Sequence, residues 1–251
     1  MNIAIVGYGR MGREIDAIAA ERGHAVTCRV DPTAREVDYS TVPAAARSGA
    51  IDADTVVIEF SLPAGPPQHI AVYGEVGCSV VIGTTGWDAE RESVLTAARE
   101  AGIGLVWGAN FSVGAEMLKR VAGYATELAA RTGDYDCCMV ELHHRHKRDS
   151  PSGTALAVAQ EVLSRGTKTT LHVETLHRAP EAQELHVTAA RVGSMPGTHT
   201  VYYDSPADTI EITHRARNRG GFARGAVQAA EWIAKVGGVH TVGEFFDDLF
   251  R

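Results

Sequence analysis

Ile3-Ala4-Ile5-Val6-Gly7-Tyr8-Gly9-Arg10-Met11-Gly12 decides how the chain begins to fold. The apolar run Ile3–Val6 has no polar face, the mark of a strand covered on both sides. Glycines 7, 9 and 12 follow in Gly-x-Gly-x-x-Gly spacing, and Met11–Arg22 then carries apolar residues at helical spacing. The glycine pattern alone is a weak signal. Between a strand and a helix it has a physical meaning. Gly7 permits the tight turn, Gly9 lets the backbone approach a pyrophosphate, and Gly12 lets helix and strand pack closely. The helix N-terminus, with its free N–H groups and positive dipole end, attracts phosphate. Gly7, Tyr8, Gly9, Arg10, Met11 and Gly12 are therefore the candidate cofactor loop.

Outward from this loop the texture repeats. Strand-like runs at Ala25–Val30, Thr55–Phe60, Ser79–Ile82 and Gly104–Trp107 alternate with helical stretches at Pro66–Val76 and Ala89–Ala101. Only a short, weakly patterned helix fits within Asp31–Ala50. The alternation predicts an α/β, Rossmann-type domain with a parallel sheet covered on both faces. Its second strand ends at Asp31, nineteen residues beyond Gly12, where a carboxylate can accept hydrogen bonds from adenosine ribose hydroxyls. Pro32 follows instead of a basic residue, so a modest preference for NADH over NADPH is expected. Arg10 and Arg35 are the side chains left to reach a 2′-phosphate. Ligands bind outside the carboxyl ends of such strands, which adds Phe60, Ser61, Gly83, Thr84, Thr85, Gly108, Ala109, Asn110 and Phe111. Each of these turns, taken alone, reads equally well as an ordinary βα connection.

The 251 residues carry 24 Lys and Arg against 31 Asp and Glu, a net charge of −7. This balance disfavours a nucleic-acid partner. Hydrophobic residues make up 45% and charged residues 22%, as in an ordinary soluble globular protein. A chain of this mass buries roughly 70% of its unfolded surface, enough for a core without disulfides or metals. No apolar run reaches the roughly 18 residues of a membrane span, and the start has no basic and apolar leader pattern. None of Cys28, Cys78, Cys137 and Cys138 forms a Cys-x-x-Cys pair, so reduced thiols in a cytoplasmic protein are expected.

The texture changes near Asn110. A helix is predicted from Val113 to about Ala130, then a strand at Tyr135–Leu142 and a helix at Ala155–Leu163. Alternating segments at Glu184–Arg191, His199–Tyr203 and Thr209–His214 read as antiparallel strands. An Ala-rich helix closes the chain from about Ala223 to Lys235. Two domains follow: a dinucleotide-binding domain of residues 1–112, to which the pattern ties residues 219–251 only weakly, and an α+β domain of residues 113–218 with a mixed or antiparallel open sheet.

Between that second-domain strand and helix lies Glu141-Leu142-His143-His144-Arg145-His146-Lys147-Arg148-Asp149-Ser150-Pro151-Ser152-Gly153-Thr154. Four readings compete for it. One is a solvated basic loop. Another is a metal site, with His144 and His146 on one face of a strand, although Arg145, Lys147 and Arg148 oppose a cation. A third is a nucleic-acid patch, which lacks interleaved aromatics. The fourth is an anion site with acid–base capacity. Pro151–Thr154 leads into a helix N-terminus, which supplies N–H donors and hydroxyls, and His or Lys can move a proton near neutral pH. This last reading also joins the two domains chemically. Hydride delivery to an unsaturated carbon leaves negative charge that a nearby acid must quench.

The chain resembles the 4-hydroxy-tetrahydrodipicolinate (dihydrodipicolinate) reductase family. The most specific stretch is Glu141-Leu142-His143-His144-x-x-Lys147-x-Asp149-x-Pro151-Ser152-Gly153-Thr154-Ala155. Gly83-Thr84-Thr85-Gly86, Ala109–Gly114, Arg191-x-Gly193-x-x-x-Gly197-x-His199 and Phe222-Ala223-x-Gly225-Ala226 also fit. The resemblance implies NAD(P)H-dependent reduction of a cyclic, dicarboxylated imine to tetrahydrodipicolinate in lysine and diaminopimelate biosynthesis. It implies His143 and Lys147 as catalytic residues, and His144, Ser152, Gly153 and Thr154 as substrate-binding residues, with no metal. It further implies a homotetramer built through the second domain's sheet, a last helix returned to the cofactor domain, and domain closure during turnover. The opening loop is one residue shorter than the Gly-x-x-Gly-x-Met-Gly of many members, and Pro32 stands where many have Arg. Two other classes are set against this: an aspartate- or homoserine-type Rossmann dehydrogenase, and a non-enzymatic dinucleotide sensor. Neither accounts for the His-His-x-x-Lys cluster beside its Ser-Gly-Thr turn.

Overall fold

The computed structural model describes residues 1–173 and 176–251. Two compact units divide the chain, Met1–Ser112 with Arg219–Arg251, and Val113–Asn218. The first stretch contains β1 (Asn2–Val6), α1 (Arg10–Glu21), β2 (Ala25–Val30), α2 (Val42–Arg47), β3 (Thr55–Glu59), α3 (Gly65–Val76), β4 (Ser79–Ile82), α4 (Arg91–Ala101) and β5 (Leu105–Trp107). The second unit contains α5 (Val113–Thr132), β6 (Asp136–His143), α6 (Gly153–Arg165), β7 (Thr170–His172), β8 (Glu184–Arg191), β9 (Thr198–Asp204) and β10 (Thr209–Arg215). The chain then re-enters the first unit with α7 (Gly220–Val236), β11 (Val239–Thr241) and α8 (Val242–Leu249).

The first sheet has the order β11-β5-β4-β3-β1-β2, and every neighbouring pair is parallel. The chain runs from β1 to β2 on one side and then crosses to β3 on the other. The strand order reverses between β1 and β3, and that reversal opens the crevice in which doubly wound folds bind ligands. Both faces are covered. Val6, Val30, Val57, Tyr73, Val80 and Leu105 belong to one core cluster. α7 packs against α1, β3 and β4 through buried small residues, among them Ala223, Gly225, Ala226, Ala229 and Ala230. Glu231 fastens α7 to the end of α1: it accepts two bonds from the Arg22 guanidinium (2.7 and 2.8 Å) and lies 2.7 Å from His24 Nε2.

The second sheet has the order β10-β9-β6-β8-β7. β10 with β9, and β9 with β6, are antiparallel. β8 corrects the sequence expectation, because it runs parallel to both β6 and β7. Alternation tells which residues share a face and carries no information on strand direction. Direction here follows from the crossover through α6, which returns the chain to the edge from which β6 started. α5 and α6 cover one face around Leu118, Met139, Val158, Val162, Val187, Val201 and Tyr203. The other face of β6 presents Cys138, Val140 and Leu142, since successive side chains alternate.

All four cysteines are free thiols, with Cys28 and Cys78 buried. Burial pushes the Cys78 thiol up to about 12 and that of Cys28 up to about 11. Among the described residues no helix is long and apolar enough to cross a membrane.

Candidate active site

The loops at the carboxyl ends of the first sheet form one connected set. Gly7 has φ +89°, and a Cβ there would collide with the Phe60–Ser61 peptide. A Cβ at Gly12 would collide with the Gly7 carbonyl, whereas Gly9 has open space around it. Close packing thus requires glycine at 7 and 12, and position 9 leaves room for a ligand to touch the backbone. α1 has no side-chain cap at its start, so its first N–H groups are left for an anion. Ser61 N donates to Thr84 Oγ1 at 2.9 Å. The Phe60 ring lies where a Gly83 Cβ would stand, and meets Phe111 edge-on at 6.3 Å between centroids. These features fit a dinucleotide.

Asp31 accepts from Tyr8 N (2.9 Å), Thr33 N (2.8 Å), Thr33 Oγ1 (2.9 Å) and Ala34 N (2.9 Å). Burial alone would raise its pKa, but these hydrogen bonds outweigh it and hold the carboxyl below its ordinary value. Three of the four donors sit on Oδ1, so Oδ2 keeps an acceptor direction for a ribose hydroxyl. The Tyr8 side chain is itself buried. Its hydroxyl donates to Asp16, and the Arg13 and Arg29 guanidiniums lie 5.0 and 5.8 Å from its ring centre. Thr84 is buried while Thr85, Ala109, Arg10 and Arg35 are exposed.

In the second unit the basic cluster is organised by residues that the motif reading did not single out as functional. β6 delivers Glu141, which is fully buried, and His143, 7% exposed. Glu141 Oε1 lies 3.0 Å from His143 Nδ1 and 2.9 Å from Arg191 Nη1. The His143 approach is short but misaligned, a close polar contact rather than a formed hydrogen bond. Glu141 Oε2 accepts from Ser152 N at 2.8 Å and lies 3.7 Å from His199 Nε2. Ser152 caps α6: its hydroxyl accepts from Ala155 N and sits 3.1 Å from His199 Nε2. Arg191 also donates to Asp149 O at 2.6 Å, and Asp149 holds Lys147 Nζ at 2.8 and 3.0 Å.

Burial lowers the pKa of His143, and Glu141 offsets only part of the shift. Burial likewise takes His199 down to about 4. Burial would raise Glu141, but the Ser152 hydrogen bonds and the His143 contact leave it below its ordinary value. The site is thus a carboxylate among neutral imidazoles at neutral pH. Glu141, His143 and His199 present ligand-type atoms within 4.8 Å of one another. A cation there would meet the positive charge of the Arg191 guanidinium already beside Oε1, which disfavours a metal. His144 and His146 do not share a strand face: β6 ends at His143, and their rings lie 6.3 Å apart in the following turn. His144 Nδ1 is buried without a hydrogen-bond partner, Gly153 is exposed and Thr154 partly so. The role of His199 and Arg191 was hidden because each lies about fifty residues from the cluster it completes. Their place in the Arg191-to-His199 motif was the one available sign.

A glycine loop that fits a dinucleotide phosphate on a doubly wound sheet, in a chain that also carries a buried carboxylate–imidazole–guanidinium cluster, is the arrangement of a dinucleotide-dependent oxidoreductase. The description "Dihydrodipicolinate reductase, N-terminus" matches residues 1–111, and "Dihydrodipicolinate reductase, C-terminus" matches residues 114–246. The chain belongs to the dihydrodipicolinate reductase family. A relative named 4-hydroxy-tetrahydrodipicolinate reductase from Christiangramia forsetii is 36% identical over 100% of both chains. One of the same name from Archaeoglobus fulgidus is 34% identical over 98% of this chain and 100% of its own. The activity is NAD(P)H-dependent reduction in lysine and diaminopimelate biosynthesis. Among solved structures, the dipicolinate-bound dihydrodipicolinate reductase from Paenisporosarcina sp. TG-14 superposes with a TM-score of 0.78. It is 20% identical, over 97% of this chain and 98% of that one. The C. glutamicum DAP dehydrogenase in complex with DAP gives 0.56 at 16% identity, over 100% and 98%. At these identities the likeness is one of fold.

Proposed function

We propose that Lys147 delivers the proton in this reduction, that His143 relays or tunes it, and that NADH is the preferred cofactor. The bound dinucleotide supplies a hydride to an unsaturated carbon of the cyclic dicarboxylate. The negative charge left on the substrate takes up one proton. Lys147, held on Asp149, carries that proton as an ammonium. His143, kept neutral by burial, accepts at one ring nitrogen and donates at the other. The α6 N-terminus with Gly153 and Thr154, together with His144 and the Ser152 cap, receives the substrate carboxylates. The observation that carries this reading is the gathering of Lys147, His143 and the helix cap around Glu141, through hydrogen bonds at Ser152, Asp149 and Lys147 and close polar contacts of Oε1 with His143 and Arg191.

Support for NADH comes from the ionised Asp31, which repels a 2′-phosphate; of the neighbouring arginines, Arg13 and Arg29 are engaged, whereas Arg10 and Arg35 are exposed. Arg13 pairs with Glu36, and Arg29 with Asp16 and Asp38. The partly apolar β6 face of Cys138, Val140 and Leu142 supports assembly as a homotetramer, and the free thiols suit the cytoplasm. The test is a steady-state assay on purified protein, with substrate generated in situ by a dihydrodipicolinate synthase and NADH or NADPH oxidation followed by absorbance. Lys147→Ala should lower kcat by roughly 10²- to 10⁴-fold with a much smaller change in KM. An effect confined to KM reassigns Lys147 to binding. A tenfold advantage for NADPH in kcat/KM overturns the cofactor preference.

A further inference from the structure

We propose that Glu141 is the positioning residue of this site, one buried carboxylate that sets the imidazole of His143, the Lys147 arm and the start of α6 together. The inference rests on the assignment of His143 and Lys147 to proton transfer. Glu141 lies beneath the loop, bonded to the Ser152 amide rather than exposed at its surface. It is fully buried, and each of its oxygens serves a different half of the site. Oε1 faces His143 Nδ1 and Arg191 Nη1. Oε2 takes the Ser152 amide, which starts α6. Arg191 extends the hold: its second terminal nitrogen donates to the Asp149 carbonyl, and the Asp149 carboxylate grips Lys147. The chain of contacts from Glu141 therefore ends on both proton-handling side chains.

A carboxylate is a poor choice for stability alone. Burying a charge is costly, and a well-packed apolar residue is often as good or better for folding. What the carboxylate adds is direction. An ionised Glu141 places negative charge 3.0 Å from Nδ1, which electrostatically favours the His143 tautomer with hydrogen on Nδ1 and leaves Nε2 as the proton acceptor. Nε2 is the atom that abuts Gly197: a Cβ at that glycine would meet it at 2.8 Å. The charged and titratable groups around the carboxylate are His143 on β6, Arg191 on β8, His199 on β9, and Lys147 and Asp149 on the following loop. His214 on β10 adds to the field at His199.

Glu141→Gln keeps the shape and removes the charge. Its amide presents hydrogens towards Arg191 and His143, which disfavours the arginine and reverses the preferred histidine tautomer. The expected result is a fall in kcat of about 100-fold, the scale of a small misplacement of catalytic groups, and a shifted pH profile of kcat. The dissociation constant for NADH, measured by fluorescence, should change less than twofold. ¹⁵N NMR of histidine-labelled protein should show Nδ1 protonated in the parent and Nε2 protonated in the variant. The His143 signals are assigned by their loss in His143→Gln. Glu141→Asp, which restores the charge, should recover at least part of kcat. Arg191→Lys keeps a cation on Oε1 and removes the link to Asp149, and should lower kcat without changing the tautomer. That variant serves if Glu141→Gln does not fold.

The proposal is overturned if Glu141→Gln keeps kcat within threefold, if the His143 tautomer is unchanged, or if Glu141→Asp is no better than Glu141→Gln. With Glu141→Gln unfolded, a parent-like kcat in Arg191→Lys overturns it. Lys147→Ala and His143→Gln, assayed in parallel, separate the two ideas. If they lose kcat while Glu141→Gln does not, the positioning role fails and the proton-transfer assignment stands. If they retain kcat, the assignment itself fails.

Discussion

Replacing His199 tests the electrostatics of the site through stability. His199 is 4% exposed and its Nε2 is 3.1 Å from the Ser152 hydroxyl. Burial brings its pKa from 6.5 to about 4, with Glu141 offsetting only part. The unfolded chain, titrating near 6.5, binds more protons than the folded chain below that pH. Stability from His199 is therefore complete above the unfolded pKa and is lost as the pH falls towards the folded one. Between pH 7 and pH 5 the loss is about 2 kcal/mol, which is about 4–8 °C in Tm for a chain of this size. His199→Gln keeps a hydrogen-bonding group beside Ser152 and removes the titration. Calorimetry at constant ionic strength should then show a variant whose Tm drops about 4–8 °C less than the parent's across this pH range. His143 is shifted in the same direction and its ring lies 5.2 Å from that of His199, so repeating the comparison in a His143→Gln background assigns the difference to His199. Parallel Tm-versus-pH curves would refute the reasoning, because they would mean that His199 titrates alike in folded and unfolded chains.

Gly9→Ala should leave Tm nearly unchanged and weaken NADH binding, whereas Gly12→Ala, which drives a Cβ into the Gly7 carbonyl, should cost about 1–3 kcal/mol of stability. Thermal melts and NADH titrations distinguish the two. Asp31→Asn should move the NADH/NADPH ratio of kcat/KM towards NADPH on the order of tenfold, the worth of a lost hydrogen bond to the ribose; an unchanged ratio would remove Asp31 from cofactor selection. Glu231→Ala, by cutting the Arg22 and His24 contacts, should lower stability by about 1–3 kcal/mol, read as a lower urea midpoint with an unchanged slope.

Much of the first unit was legible because its rules are local. A buried strand, a glycine turn and a helix start are neighbours in sequence, so Ile3–Gly12 carries its own geometry. The strand runs near residues 55–60 and 79–82 were visible for the same reason. Short elements were not: β7, β11 and α8 are too brief for periodicity to distinguish from loops. The parallel direction of β8 was hidden as well, because its alternation is the same whichever way it runs.

By itself, the sequence determined the doubly wound cofactor unit, the family and the clustering of His143, His144, Lys147 and Ser152, since each depends on residues within a few positions of one another. Tertiary structure alone decided that Glu141 is the buried hub, that Arg191 from β8 and His199 from β9 complete it, and that Ser152 spends its hydroxyl on the α6 cap and His199. Those contacts span some fifty residues of chain. They exist because β8 and β9 flank β6 in the sheet, and strand neighbours are set by packing of the whole unit, which no local pattern encodes.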